Sequence, residues 1–153
     1  MTPDTLKGKS YIFHIPASLI KLREAFVVVV GIVNKSILGE HYTLAAAEAA
    51  AMCRDRKRRV TLISASSHPD TINTVRTYCY GTGDELRVVP VKDGKTDLEA
   101  LKELLKADVA SLDVQQPNFF GQFEDTAAIA EAVHANGSML VLGCNPIALG
   151  IMS

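Results

Sequence analysis

Residues 60–91 read VTLISASSHPDTINTVRTYCYGTGDELRVVPV, and this stretch decides the fold. Val60–Ser64 is a short run of β-branched and apolar residues, the composition of a buried strand. Pro69 then opens a helix that runs to about Tyr80, because proline in the first turn gives up an N–H that would be unpaired there anyway. Gly81 and Gly83 end that helix, and residues 86–91 form the next strand. Strand, helix and strand in this order require two parallel strands joined by a crossover.

The same rhythm extends in both directions. Upstream, residues 43–58 are rich in alanine (Ala45, Ala46, Ala47, Ala49, Ala50, Ala51), the strongest helix former. Downstream, Lys92-Asp93-Gly94-Lys95 is turn chemistry. Thr96, with Asp97 and Glu99 behind it, caps a helix to about Lys106. Residues 109–114 form a strand, 115–121 a loop, and 123–136 a helix with Ile129, Ala132 and Val133 on one face. Gly137 stops that helix, and residues 139–142 are the last strand. The fold class is therefore α/β, a parallel sheet with flanking helices. Its strands are continuous apolar runs, as in sheets buried on both faces. Residues 1–40 stand outside this rhythm, and their candidate strands are residues 11–15 and 26–33. The division is an unmatched segment at 1–40 and the α/β unit at 41–153. In such sheets ligands bind at the carboxyl ends of the strands, which points to the loops at 64–69, 115–121 and 143–146.

Composition removes several classes. The 153 residues are 48% hydrophobic and 22% charged with a net charge of −1, so no general attraction to nucleic acid or an anionic membrane is expected. The basic run Arg54, Arg56, Lys57, Arg58 and Arg59 reads as a solvated helix end. The most apolar run, residues 25–33, is far shorter than the roughly 20 residues of a membrane helix and reads as a buried strand. Cys53, Cys79 and Cys144 are far apart with no C-x-x-C, and the four histidines (His14, His41, His68, His134) show no ligand spacing, so no metal site is indicated. The odd cysteine count fits a reducing cytoplasm.

The usual cofactor and catalytic motifs are missing. Gly81-Thr82-Gly83 has Leu86 where a dinucleotide fingerprint needs its third glycine, and it follows a helix. There is no phosphate loop and no G-x-S-x-G elbow. Asp108, Asp113, Glu124 and Asp125 make no metal-binding pattern, and Glu124 and Asp125 read as charge at a helix N-terminus. One segment is unusual. In residues 114–125, VQQPNFFGQFED, two adjacent phenylalanines, amides and a proline occupy a strand-to-helix loop. By composition it is a buried turn in which Asn118 bonds local backbone.

Four stretches resemble the P-protein family of the glycine cleavage system: residues 45–52 (AAAEAAAM), 58–70 (RRVTLISASSHPD), 91–101 (VKDGKTDLEAL) and, most specifically, 113–125 (DVQQPNFFGQFED). The resemblance covers about residues 43–152, and the 113–125 string and residues 145–150 (NPIALG) are similar to subunit 1 of the two-subunit form. The resemblance implies part of the large domain of the type I, aspartate aminotransferase-like fold of pyridoxal phosphate (PLP) enzymes. It implies glycine decarboxylation in glycine catabolism, with the aminomethyl group passed to lipoyl H-protein, and a glycine dehydrogenase subunit 2 as partner. In this family subunit 2 carries the cofactor lysine, so PLP is expected in the assembled enzyme and none in this chain alone. No lysine follows Lys106, and Asn145 stands where the family has an aspartate for the pyridine nitrogen. The candidate cofactor-facing residues are His68, at a turn that lies near PLP in the related subunit, and Asn145. No catalytic and no metal-binding residue is expected, and the chain is expected to be inactive alone. Residues 1–40 do not resemble the family and the family's carboxyl-terminal half is missing, for which a truncated gene or a joined reading frame is the expected explanation. A non-catalytic α/β interaction module or gene remnant is the alternative. An independent PLP enzyme of another class is disfavoured by the absence of a suitably placed lysine.

Overall fold

The computed structural model describes residues 28–29 and 38–145. Its elements in chain order are β1 (Val28–Val29), α1 (Leu38–Cys53), β2 (Val60–Ser64), α2 (Pro69–Thr82), β3 (Glu85–Val89), β4 (Val91–Lys92), β5 (Lys95–Thr96), α3 (Leu98–Leu104), β6 (Val109–Gln116), α4 (Thr126–Ala135) and β7 (Met139–Cys144). Five strands form one sheet in the order β1-β7-β6-β2-β3, and every pairing in it is parallel. The expected α/β architecture is present. The candidate strand at 26–33 contains β1, whereas the one at 11–15 lies outside the described residues.

The two sheet faces bury different side chains. Leu62, Leu112, Val114, Leu140 and Leu142 pack with Leu101 of α3 and Ile129 and Val133 of α4. At roughly 1.5–3 kcal/mol for each fully buried large aliphatic side chain, this face supplies most of the hydrophobic stabilisation. The opposite face is covered by α1 and α2 and relies on smaller groups: Ala46, Ala47, Ala49, Ala50 and Cys53 of α1 against Ile63 and Val141. A methyl contributes less burial than an isobutyl group, so α1 is held more weakly.

Several boundaries move from their expected positions, each for a local reason. Helix α1 ends at Cys53 and not at Arg58, because the Asp55 carboxylate accepts hydrogen bonds from the Lys57 and Arg58 amides at 2.6 and 2.7 Å and turns the chain. The basic run consequently lies beyond the helix: Arg56 and Lys57 are solvated as expected, but the other three are engaged. Arg54 and Arg59 pair with the nearly buried Asp84, and Arg58 donates to the carbonyls of Val109 and Asn136, both at 2.9 Å. Helix α3 is capped by Asp97, whose side chain accepts from the Glu99 and Ala100 amides. Thr96 belongs instead to the β4–β5 hairpin, closed by Asp93 and Gly94 at φ 53° and 78°, the geometry favoured in two-residue hairpin turns. Helix α4 starts at Thr126, capped by Asp125, and buries Ile129, Ala130 and Val133, with Ala130 in place of Ala132.

Among the described residues no helix is long and apolar enough to cross a membrane.

Candidate functional site

The carboxyl ends of β2, β6 and β7 release three loops side by side, and the β4–β5 hairpin leans against them. Their contacts come from the sequence of the loop after β6. Asn118 folds that loop on itself: its carboxamide oxygen accepts from the Phe120 and Gln122 amides, both at 3.0 Å. Its carboxamide nitrogen donates to the Gly94 carbonyl and to Glu124, both at 2.8 Å. The expected Asn118 turn is therefore present, and it also reaches the hairpin.

Glu124 is where sequence reasoning fell short. It is not charge on a helix end. It is 5% exposed, and its carboxylate accepts from Ser66 Oγ at 2.6 Å, Asn118 Nδ2 at 2.8 Å and Thr96 N at 2.9 Å. Ser64 Oγ extends the network to Ser66 Oγ at 2.8 Å and Thr96 Oγ1 at 2.7 Å. One carboxylate thus joins the turn after β2, the hairpin and the loop after β6. A buried charge is tolerable only when it is so bonded. The available signal was the Glu124-Asp125 pair: one acid suffices to cap α4, leaving the other for a different role.

The two residues expected to face a cofactor are brought to adjacent positions at the end of β6. The His68 amide donates to Gln115 Oε1 at 2.9 Å, and the Asn145 amide donates to the Gln116 carbonyl at 2.9 Å. The His68 imidazole Nδ1 accepts from the Asp70 amide at 3.2 Å, capping α2, and the ring meets Phe119 edge-on with centroids 5.1 Å apart. The Phe119 amide in turn donates to the Ser66 carbonyl at 2.8 Å. Asn145 is exposed, as are Phe119 and Phe120.

This arrangement offers an imidazole, two aromatic faces and amides on a braced platform. Cys144, at the end of β7, is no nucleophile, since burial pushes its thiol up to about 11. Among the described residues no group of three or more histidine, cysteine, aspartate or glutamate side chains could hold a metal ion. The platform is suited to packing and hydrogen bonding, and its one imidazole, His68, lies 3.6 Å from the exposed Asp70 carboxylate.

Comparison with known proteins agrees with this geometry. The family model of the glycine cleavage system P-protein matches residues 27–153, beginning upstream of residue 43, where the resemblance was read. The chain is 44% identical over 110 residues to a probable glycine dehydrogenase (decarboxylating) subunit 1 of Listeria monocytogenes serotype 4a (strain HCC23), covering 71% of this chain and 25% of the relative. It is 40% identical over 120 residues to the corresponding protein of Lysinibacillus sphaericus (strain C3-41), covering 78% and 27%. The chain spans about a quarter of the length of the curated relatives it matches. Among solved structures, glycine decarboxylase (P-protein) of the glycine cleavage system, in inhibitor-bound form, superposes with a TM-score of 0.63 at 31% identity, covering 71% of this chain and 24% of that one. N-Succinyldiaminopimelate aminotransferase from Mycobacterium tuberculosis superposes with a TM-score of 0.53 at 22% identity over 66% of this chain and 27% of that one, a likeness of fold. The fold is that of the type I PLP-dependent enzymes, and the chain belongs to the glycine cleavage system P-protein family.

Proposed function

We propose that this chain acts as part of subunit 1 of a glycine dehydrogenase (decarboxylating), paired with subunit 2 and working in the cytoplasm. In the assembled enzyme it supports PLP-dependent glycine decarboxylation and transfer of the aminomethyl group to lipoyl H-protein, and it is inactive alone. The observation that carries this reading is the 115–124 loop. The segment most like subunit 1 is also the one that Glu124 and Asn118 lock into a single shape.

The described residues do not fit a PLP of their own. Asn145, at the end of β7, presents an uncharged amide, which cannot form an ion pair with a pyridinium. Asp113, on the adjoining strand, is sealed beneath α1. These features favour a cofactor held by subunit 2, where it would supply an electron sink. The part of this chain would be structural. His68 and Asn145 would stand toward the cofactor, and Phe119 and Phe120 would pack against the partner and exclude water.

The test is glycine–bicarbonate exchange after mixing this chain with subunit 2 and H-protein. Exchange above the level without this chain supports the reading. No added exchange, together with no co-purification with subunit 2, overturns it in favour of a non-catalytic module.

A further inference from the structure

Asp113 lies in the middle of β6 with its side chain fully buried, and neither carboxyl oxygen has a hydrogen-bond partner. Its register neighbours are Ile63 on β2 and Val141 on β7. Ile63 belongs to the cluster containing Ala46, Ala47 and Ala50, and Val141 to the one containing Ala49 and Cys53. The carboxyl therefore sits directly under α1, walled in by methyl groups. The hydroxyls nearby, Ser111 on the same strand and Thr61 on β2, are themselves fully buried and lie beside the thiols of Cys53 and Cys79 respectively.

We propose that protonation of Asp113 gates the docking of α1 on the sheet: the helix closes over the strands while the carboxyl is neutral and loosens when it ionises. An ionised carboxylate without a partner is far costlier to bury than a neutral one, and the cheapest relief is to admit water. No described group offsets that cost. Helix α1 contributes the Cys53 thiol, which is neutral because burial raises its pKa. Glu48 on α1 is turned away to the Tyr78 hydroxyl, and Arg54 just after α1 is turned to Asp84. The flanking strands contribute Ile63 and Val141, and α2 contributes Cys79. Burial alone pushes the Asp113 carboxyl up to about 7, which places its ionisation in the neutral range.

The lid is suited to such control. Its buried face is alanine and cysteine, so little hydrophobic burial opposes its release. As the crossover between two parallel strands, α1 runs back against them, and its N-terminal end lies at the end of the sheet that carries His68 and Asn145. Loosening it would change the wall of the candidate site.

The experiment is hydrogen exchange of the full chain between about pH 5.5 and about pH 8.5, corrected for intrinsic base catalysis, with α3 on the opposite face as the internal reference. In the native sequence, protection of residues 46–53 falls by about tenfold or more relative to α3 as pH rises; in Asp113→Asn and Asp113→Val it stays level. Equal pH profiles in the native chain and the variants overturn the proposal. Should neither variant fold, infrared spectroscopy of the native chain decides it. A protonated carboxylic acid band that disappears across the neutral range with loss of α1 protection supports the gate, and a carboxylate already ionised at about pH 5.5 overturns it.

Discussion

The carboxylate of Glu124 accepts a 2.6 Å hydrogen bond from the hydroxyl of Ser66, a residue 58 positions earlier in the chain. Through this contact the loop after β6 and the turn after β2 become one unit. The same carboxylate also takes Thr96 N and Asn118 Nδ2, two donors that cannot reverse their role.

Glu124→Gln is therefore not conservative. Whichever way the amide is turned, its NH2 faces an N–H of either Thr96 or Asn118. A loss of about 1–3 kcal/mol is expected, and more for Glu124→Ala, which leaves several buried donors unpaired. Urea unfolding of the two variants beside the native chain measures both. A Gln variant as stable as the native chain would refute the assignment of donors.

Gly94 holds the hairpin against the loop. Its φ of 78° is unfavourable for any residue with a Cβ, and that Cβ would run into the Gln122 carboxamide. Gly94→Ala should cost roughly 1–3 kcal/mol, combining backbone strain with displacement of Gln122. Thermal unfolding checks this, and amide shifts confined to residues 92–96 and 118–124 would locate the effect.

Arg58 bridges the start of β6 and the end of α4 by donating to the Val109 and Asn136 carbonyls from different guanidinium nitrogens. Lysine has a single nitrogen and cannot reproduce that fork. Arg58→Lys should be destabilised by about 1–2 kcal/mol and Arg58→Ala by about 2–3 kcal/mol, measured by denaturant midpoint at a constant m-value. Equal stability of the lysine variant would mean that only the charge matters.

Asp113 predicts the pH dependence of stability. Its carboxyl is raised from the ordinary 3.8 to about 7 in the folded chain, so the folded state holds its proton more tightly than the unfolded state does. Stability from this group is full below about pH 4, declines as pH rises toward 7, and is flat beyond. The difference is on the order of 4 kcal/mol at roughly 1.4 kcal/mol per tenfold change in proton affinity. Asp113→Asn should remove most of that slope and be the more stable protein at about pH 8. Parallel curves of unfolding free energy against pH for the two proteins would contradict this.

Cofactor retention separates this chain from a self-sufficient enzyme. After incubation with PLP and dialysis, neither the native chain nor Asn145→Asp should keep visible-range absorbance. A carboxylate restored at the end of β7 could pair with a pyridinium but supplies no covalent anchor for the cofactor. Stoichiometric retention by either protein would reassign the cofactor to this chain.

What could be read from the sequence was what neighbouring residues settle among themselves. The alanines of α1, the Pro69 start and Gly83 stop of α2, and the Asp93-Gly94 turn are choices made within one or two turns of chain, and the structure keeps them. The alternation of helix and strand fixed a parallel sheet, because parallel strands need crossovers. Four short strings, 113–125 the most specific of them, carried the resemblance to the family. Only the tertiary structure decided the strand order β1-β7-β6-β2-β3, which depends on how crossovers pack and leaves no local mark. It also decided which charges are hidden. Glu124 and Asp113 are both buried acids, yet one meets donors from three distant segments and the other meets none. A residue's type states that it can carry charge; whether the charge is bonded, strained or neutralised depends on groups that folding brings from elsewhere in the chain.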